Sequence, residues 1–422
     1  MMADTLKMIP RPGLLDARAA PGLEVFQLTT ETDIPSSHVY MEAQVFTSDS
    51  RRLVLHRSAT PHGACREDPD HAYLLCDLEN GGELSPLTEE RGVTGPAVSP
   101  DDSWLYYFRD QTALNGDRLM LKRVRLDGGG RETLIVLDGP AEGAVRRISR
   151  IYPLSTISSD GRRIAVSGFL GNGRREPPPW GLLVFDLDSG SARLILEGPS
   201  WHNMHPQYCR SGKPEAECDI MVQENHGNVC RPDGTEVKST SGAGVDVHVI
   251  RDDATCFRDL PWGRNMTEAC EGHQCWRGHG HTAITSAAVR TWGDHVLIEG
   301  PPAPHDGHLG AESAGAERNM LSAEFENPRF HHFATDAAGK RLITDHTPES
   351  SPTTELYLAE FGPEAGRPLR NWKRLLDTGT PKGNSAAHAH PFLSPDGIMG
   401  FFNSTESGLL QAYLIKGLHT LK

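Results

Sequence analysis

Short stretches of alternating apolar and polar residues recur along this chain, each introduced by a turn of the Ser-Pro-Asp-Gly kind. The turn-and-strand pattern starts at Thr47 (TSDSRRLVLH), Ser99 (SPDDSWLYYF), Ser158 (SSDGRRIAVSG), Cys209 (CRSGKPEAECDIMV), Arg277 (RGHGHTAIT), Asp336 (DAAGKRLITD) and Ser394 (SPDGIMGFFNS). The seven starts are separated by 52, 59, 51, 68, 59 and 58 residues. Most lead into a second strand and another turn, as in AYLLCDLENGG, GLLVFDLDSG, LYLAEFG and AYLIKG. Gly, Asp and Asn at these turns supply the backbone angles that hairpins need. That period suits a four-stranded antiparallel blade, and blades stacked radially bury each other's faces. The predicted fold is therefore all-β, a single seven-bladed β-propeller over residues 1–422, rather than two β-sandwiches with coincidental turns. The longest gap holds a polar, Gly-rich segment, about 225–270, that reads as an elaborated blade or a loop over the central funnel.

In a propeller blade the strand before this first turn lines the central channel. Four residues before the turn stand His205, His273, His332 and His390 in repeats four to seven, and Ala43, Gly95 and Leu154 in repeats one to three. An identical offset places four imidazoles at similar height on consecutive inner strands. His388 lies two residues before His390, on the same face of a strand with period two. Neutral imidazole suits Mn, Fe, Co, Ni and Zn. One such histidine is usually a structural hydrogen bonder; an aligned set points to a divalent metal site.

Weaker candidates surround this set. His226, in the ENHG segment, follows the second strand of the fourth blade and is placed to reach the funnel mouth. His38 and Gln44 precede the first turn, as ordinary polar lining or facing the cluster across the channel. Cys270 and Cys275 flank His273 and read as a disulfide or as buried thiols. Arg174-Arg175 reads as an anion contact or a solvated turn.

Composition narrows the partners. The 422 residues include 43 Gly and 30 Pro, with 37% hydrophobic residues, which suits short strands and tight turns. No apolar run is long enough to span a membrane. A formal net charge of -14 argues against nucleic acid and anionic membranes, and an acidic substrate would need local positive charge or a metal. Residues Met1 to Pro12 lack the apolar core of a secretory signal, which favours the cytoplasm. The 8 cysteines, including a possible Cys65–Cys76 hairpin bridge, and the sequons at Asn265 and Asn403 fit a secreted or periplasmic setting equally well.

Several segments resemble oligogalacturonate lyases: GHQCW around His273, HFATDAAG from His332, HAHPFLSPDG from His388, WHNMHPQY around His205, the ENHG segment, and the early His38 and Gln44. The similarity runs in order along essentially the whole chain and is most specific at the HisXHisPro segment and at GHQCW. The resemblance implies a seven-bladed polysaccharide lyase using a Mn-type divalent ion. It implies metal ligands at His273, His388 and His390, with a fourth at the position of Ser385, where the family has glutamine; water, Ser385 or His332 are the alternatives here. It implies a histidine base, carried over to His205, with His226 as second choice. The family's substrate-pairing arginine falls at Gly181, where none stands.

The implied reaction is β-elimination on a uronic-acid oligosaccharide to give a 4,5-unsaturated uronate end. A divalent ion on the substrate carboxylate neutralises it, and a neutral histidine takes the C5 proton. The leaving C4 oxygen needs a proton from that base, a water, or a tyrosine such as Tyr208. Two other readings are a lyase on a glucuronate-containing glycan and a non-catalytic, TolB-like binding propeller.

Overall fold

The structure, a computed structural model, describes residues 8–58, 71–112, 118–170, 179–231, 235–238, 244–262, 268–289, 295–303, 318–364, 366–382 and 387–421. Its strands build seven antiparallel sheets of four or five strands and one two-stranded hairpin. These are the seven blades of a β-propeller. Their inner edge strands are Ser36–His38, Val93–Val98, Arg150–Ile157, Gln207–Tyr208, Glu268–Trp276, Phe333–Thr335 and Phe392–Leu393. Each runs into one of the seven repeated turns. No helix among the described residues is long and apolar enough to cross a membrane.

Turn chemistry explains why the repeat is legible. Ser158 Oγ donates to Asp160 Oδ1 at 2.5 Å, and the same oxygen accepts the Arg162 N–H at 3.0 Å. Gly161 follows at φ +72°, a left-handed angle that glycine adopts without a Cβ clash.

Alternation along the second strands feeds two cores at once. In Arg163–Phe169, Ile164 and Val166 pack with Tyr106 and Phe108 of the second blade. Ala165 and Phe169 pack instead with Met204, Ile220 and Val222 of the fourth blade. Truncating such a buried aliphatic side chain to Ala costs about 2–5 kcal/mol, so each blade is held by its neighbours as much as by its own hydrogen bonds.

The ring closes through both ends of the chain. Glu24–Gln27 pairs with Gln411–Lys416, Glu24 opposite Lys416 and Gln27 opposite Tyr413, and Ile9–Pro10 adds a fifth strand outside it. An early strand thereby completes the last blade. Residues 225–270 hold the third and fourth strands of blade four, Val245–Arg251 and Arg258–Asp259, and the hairpin of Val229–Cys230 with Glu236–Lys238.

All seven described cysteines are free thiols, Cys270 and Cys275 among them. Asn403 is fully buried, its side-chain oxygen accepting the His38 N–H at 2.8 Å, so its sequon cannot receive a glycan in the folded chain. Cys65, Arg174, Arg175, Asn265 and Ser385 lie outside the described residues.

Candidate functional site

Three inner strands break register at one height, between Thr94 and Ala97, Ile151 and Ser155, and Cys270 and Gln274. A bulge there turns side chains toward the axis. At the same level His205 has φ 48° and His390 φ 41°, left-handed angles for residues that carry a Cβ. Such a conformation costs about 1–3 kcal/mol and persists only where the surroundings impose it, typically at functional sites.

The imidazoles of the last three blades meet. His332, His388 and His390 each offer a ring nitrogen within 4.8 Å of the others. Ring centroids lie 4.9 Å apart for His332 and His388 and 4.5 Å for His332 and His390. His273 joins from blade five, 4.3 Å from His332. Burial first, then the neighbouring imidazoles, holds His273 neutral, and the same causes bring His388 to about 4. His273 Nδ1 is buried with no hydrogen-bond partner among the described residues. A crowd of imidazole nitrogens, one of them orphaned, is the donor set a divalent ion requires, and these residues fit one.

Asp345 fixes the orientation of His332. Its Oδ2 lies 2.6 Å from His332 Nδ1, while Oδ1 accepts the backbone N–H of both His331 and His332 at 2.9 Å. Burial opposes ionisation of Asp345, yet the His332 imidazole outweighs it and holds the carboxyl at about 2. With Nδ1–H directed at this carboxylate, His332 presents Nε2 to the cluster, the arrangement that orients metal-ligating histidines.

His205 approaches from blade four with a different partner. Its Nδ1 lies 2.9 Å from Oε2 of Glu42, a buried carboxylate of blade one. Burial pushes the Glu42 carboxyl up, against the pull of His205 and His332. Tyr40 stands between the two sides, its ring 5.2 Å from that of His205 and 4.8 Å from that of His390, and Tyr152 lies 5.9 Å from His205. Burial raises the Tyr40 phenol well above its ordinary value, so it keeps its proton.

Other candidates lie elsewhere. Tyr208 is buried with its hydroxyl donated to Asp252 at 3.1 Å, which removes it from the imidazoles. Tyr208 belongs to the short strand Gln207–Tyr208, whereas His205 precedes that strand in left-handed backbone. His226 is engaged by Asp246 at 2.7 Å, in a separate group with Glu224. His38 bonds the Tyr413 carbonyl at 2.9 Å and packs edge-on against Phe392, a core role. Gln44 spans to blade three, with Nε2 on the Ile157 carbonyl and Oε1 on its N–H. At Gly181 a Cβ would come within 2.6 Å of Leu194 and 2.7 Å of the Leu196 carbonyl, so no arginine fits there. Glu42, Tyr40 and Asp345 are site residues that the turn-based offset missed. The available signal was Glu42 one residue before the matching position and Tyr40 two before Glu42.

No protein-family model and no curated protein matches the chain. Among solved structures it is similar to an oligogalacturonate lyase in complex with manganese, at TM-score 0.68 and 22% identity over 97% of this chain and 96% of that one. It is also similar to an oligogalacturonate lyase from Vibrio parahaemolyticus, at TM-score 0.67 and 17% identity over 99% of each chain. The likeness is one of fold, the seven-bladed propeller end to end.

Proposed function

We propose that this chain is a divalent-metal-dependent lyase that cleaves uronic-acid oligosaccharides by β-elimination, with oligogalacturonate the first-choice substrate. The convergence of His273, His332, His388 and His390 opposite the Glu42–His205 pair carries the reading. The manganese complex of a structurally similar lyase supports it.

His273, His388 and His390, with His332 as the fourth donor, are the residues that would hold the ion. When bound, a Mn-type ion supplies positive charge that neutralises the substrate carboxylate and lowers the barrier to losing the adjacent C5 proton. His205 is the base: Glu42 Oε2 accepts the hydrogen bond from its Nδ1–H, leaving the Nε2 lone pair to accept that proton. Electrons of the C5–H bond form the C4=C5 double bond as the C4–O bond breaks. The Tyr40 hydroxyl, kept protonated by burial, gives the leaving oxygen its proton. Asp345 holds His332 in one tautomer and contributes no proton of its own. The low-dielectric packing around the pair strengthens each of these contacts.

A glucuronate-containing glycan is the second reading. The closed packing at Gly181 favours it, because the cation that would pair with a galacturonate chain has no room there.

The test is direct. The manganese-loaded chain is incubated with short galacturonides and glucuronides, and products are followed by ultraviolet absorbance of the unsaturated uronate and by mass. Elimination adds no water to the summed products, whereas hydrolysis adds one. Absence of both a bound transition metal and any unsaturated product would return the chain to the binding-module reading.

A further inference from the structure

On the other side of Glu42, the seven repeated turns enclose an axial cavity of about 390 Å³, with every blade contributing its first turn to the wall. None of the clustered imidazoles lines it. Two basic groups do: Arg210 from the first turn of blade four and His279 from that of blade five. Among the described residues the Arg210 guanidinium makes one hydrogen bond, a long one of 3.4 Å from Nη2 to the Glu42 carbonyl.

The acids of the same wall are committed elsewhere. Asp102 accepts the Ser48 N–H and hydroxyl, at 2.8 and 2.5 Å. Asp336 accepts the backbone N–H groups of Lys340 and Arg341, both at 2.7 Å. The Glu42 carboxylate faces His205. Among the described residues no carboxylate pairs with Arg210, and the groups that act on its charge are the thiols of Cys275 and Cys209. Burial and then Arg210 itself disfavour protonation of His279, as expected of two bases with no anion between them.

A guanidinium presents five donors in a planar fork matched to carboxylate and phosphate oxygens. Enclosed charges are ordinarily paired, and this chain, at net charge -14, has acids in excess. We infer that the turn end of the propeller axis is an anion-binding site, in which Arg210, with His279 at its rim, receives a small oxyanion such as a carboxylate or phosphate. Trp276, Phe46 and Phe392 add an apolar wall, so the cavity suits an organic acid of about one sugar's size better than a bare halide. This site is independent of the lyase reading.

The experiment titrates sodium galacturonate, inorganic phosphate and chloride into the full chain at fixed ionic strength, reading thermal midpoint and calorimetric affinity. Galacturonate or phosphate should bind saturably and more tightly than chloride, in wild type and in His388→Ala alike. The stronger of the two identifies the oxyanion class. Arg210→Met should weaken that binding at least tenfold. Should Arg210→Met fail to fold, His279→Asp, on an exposed turn, is expected to give the same loss. Binding no tighter than chloride, binding unchanged in the folded Arg210 and His279 variants, or binding lost in His388→Ala would each overturn the assignment.

Discussion

Glu42 and His205 are 163 residues apart in sequence, yet Glu42 Oε2 lies 2.9 Å from His205 Nδ1. The side chains are only 3% and 6% exposed. A buried imidazole held this way has one tautomer and presents its other nitrogen, as His332 does on Asp345, but its carboxylate partner comes from blade one across the channel.

Removing either partner should separate proton transfer from metal binding. His205→Ala is expected to lose about 10²–10⁴-fold in kcat, the usual worth of a general base, while metal content by plasma mass spectrometry stays at the wild-type level. Glu42→Gln should lower kcat with KM nearly unchanged and shift the acidic limb of the pH–rate profile. Full activity in His205→Ala would show that another group is the base.

The imidazole cluster should behave in the opposite way. His273→Ala and His388→Ala are expected to lose metal and activity together. Asp345→Asn, which leaves the ligands in place and loosens His332, should cost about 10–100-fold in metal affinity. Competition with a chromogenic chelator measures this without reference to turnover.

Two tyrosines separate the proton donor from a structural hydroxyl. Tyr40→Phe should depress kcat on a poor leaving group. Tyr208→Phe should leave kcat intact and instead lower stability by about 1–3 kcal/mol, because buried Asp252 loses a donor. Equal activity of the wild type and Tyr40→Phe would remove Tyr40 from the mechanism.

Acid sensitivity follows from a core histidine that the proposed reaction does not use. Burial pushes His38 down to about 3 from an ordinary 6.5. The unfolded chain therefore binds a proton between those values that the folded chain does not, and stability falls as pH drops through that window. The slope approaches about 1.4 kcal/mol per pH unit for each such group. Denaturant unfolding at pH 7, 6 and 5 should show this decline, and His38→Gln should make it shallower. An unchanged slope would place the loss in other buried imidazoles.

The sequence alone determined the seven-blade repeat, because each blade is a local unit whose Ser-Asp-Gly turns and alternating strands are written in consecutive residues. It also determined the alignment of His273, His332 and His390, since a fixed offset from a turn is a fixed height on an inner strand. Tertiary structure decided what stands opposite them. Ring closure, with Glu24–Gln27 paired to the final strand, carries Glu42 and Tyr40 of blade one to the cluster, and no local pattern announces contacts between blades one, four and seven. Tyr208 and His226 turned to Asp252 and Asp246 of their own blade, partners that strand pairing within blade four brings within reach. A buried polar group takes the partner that packing brings within reach, and cross-blade packing is a property of the closed ring.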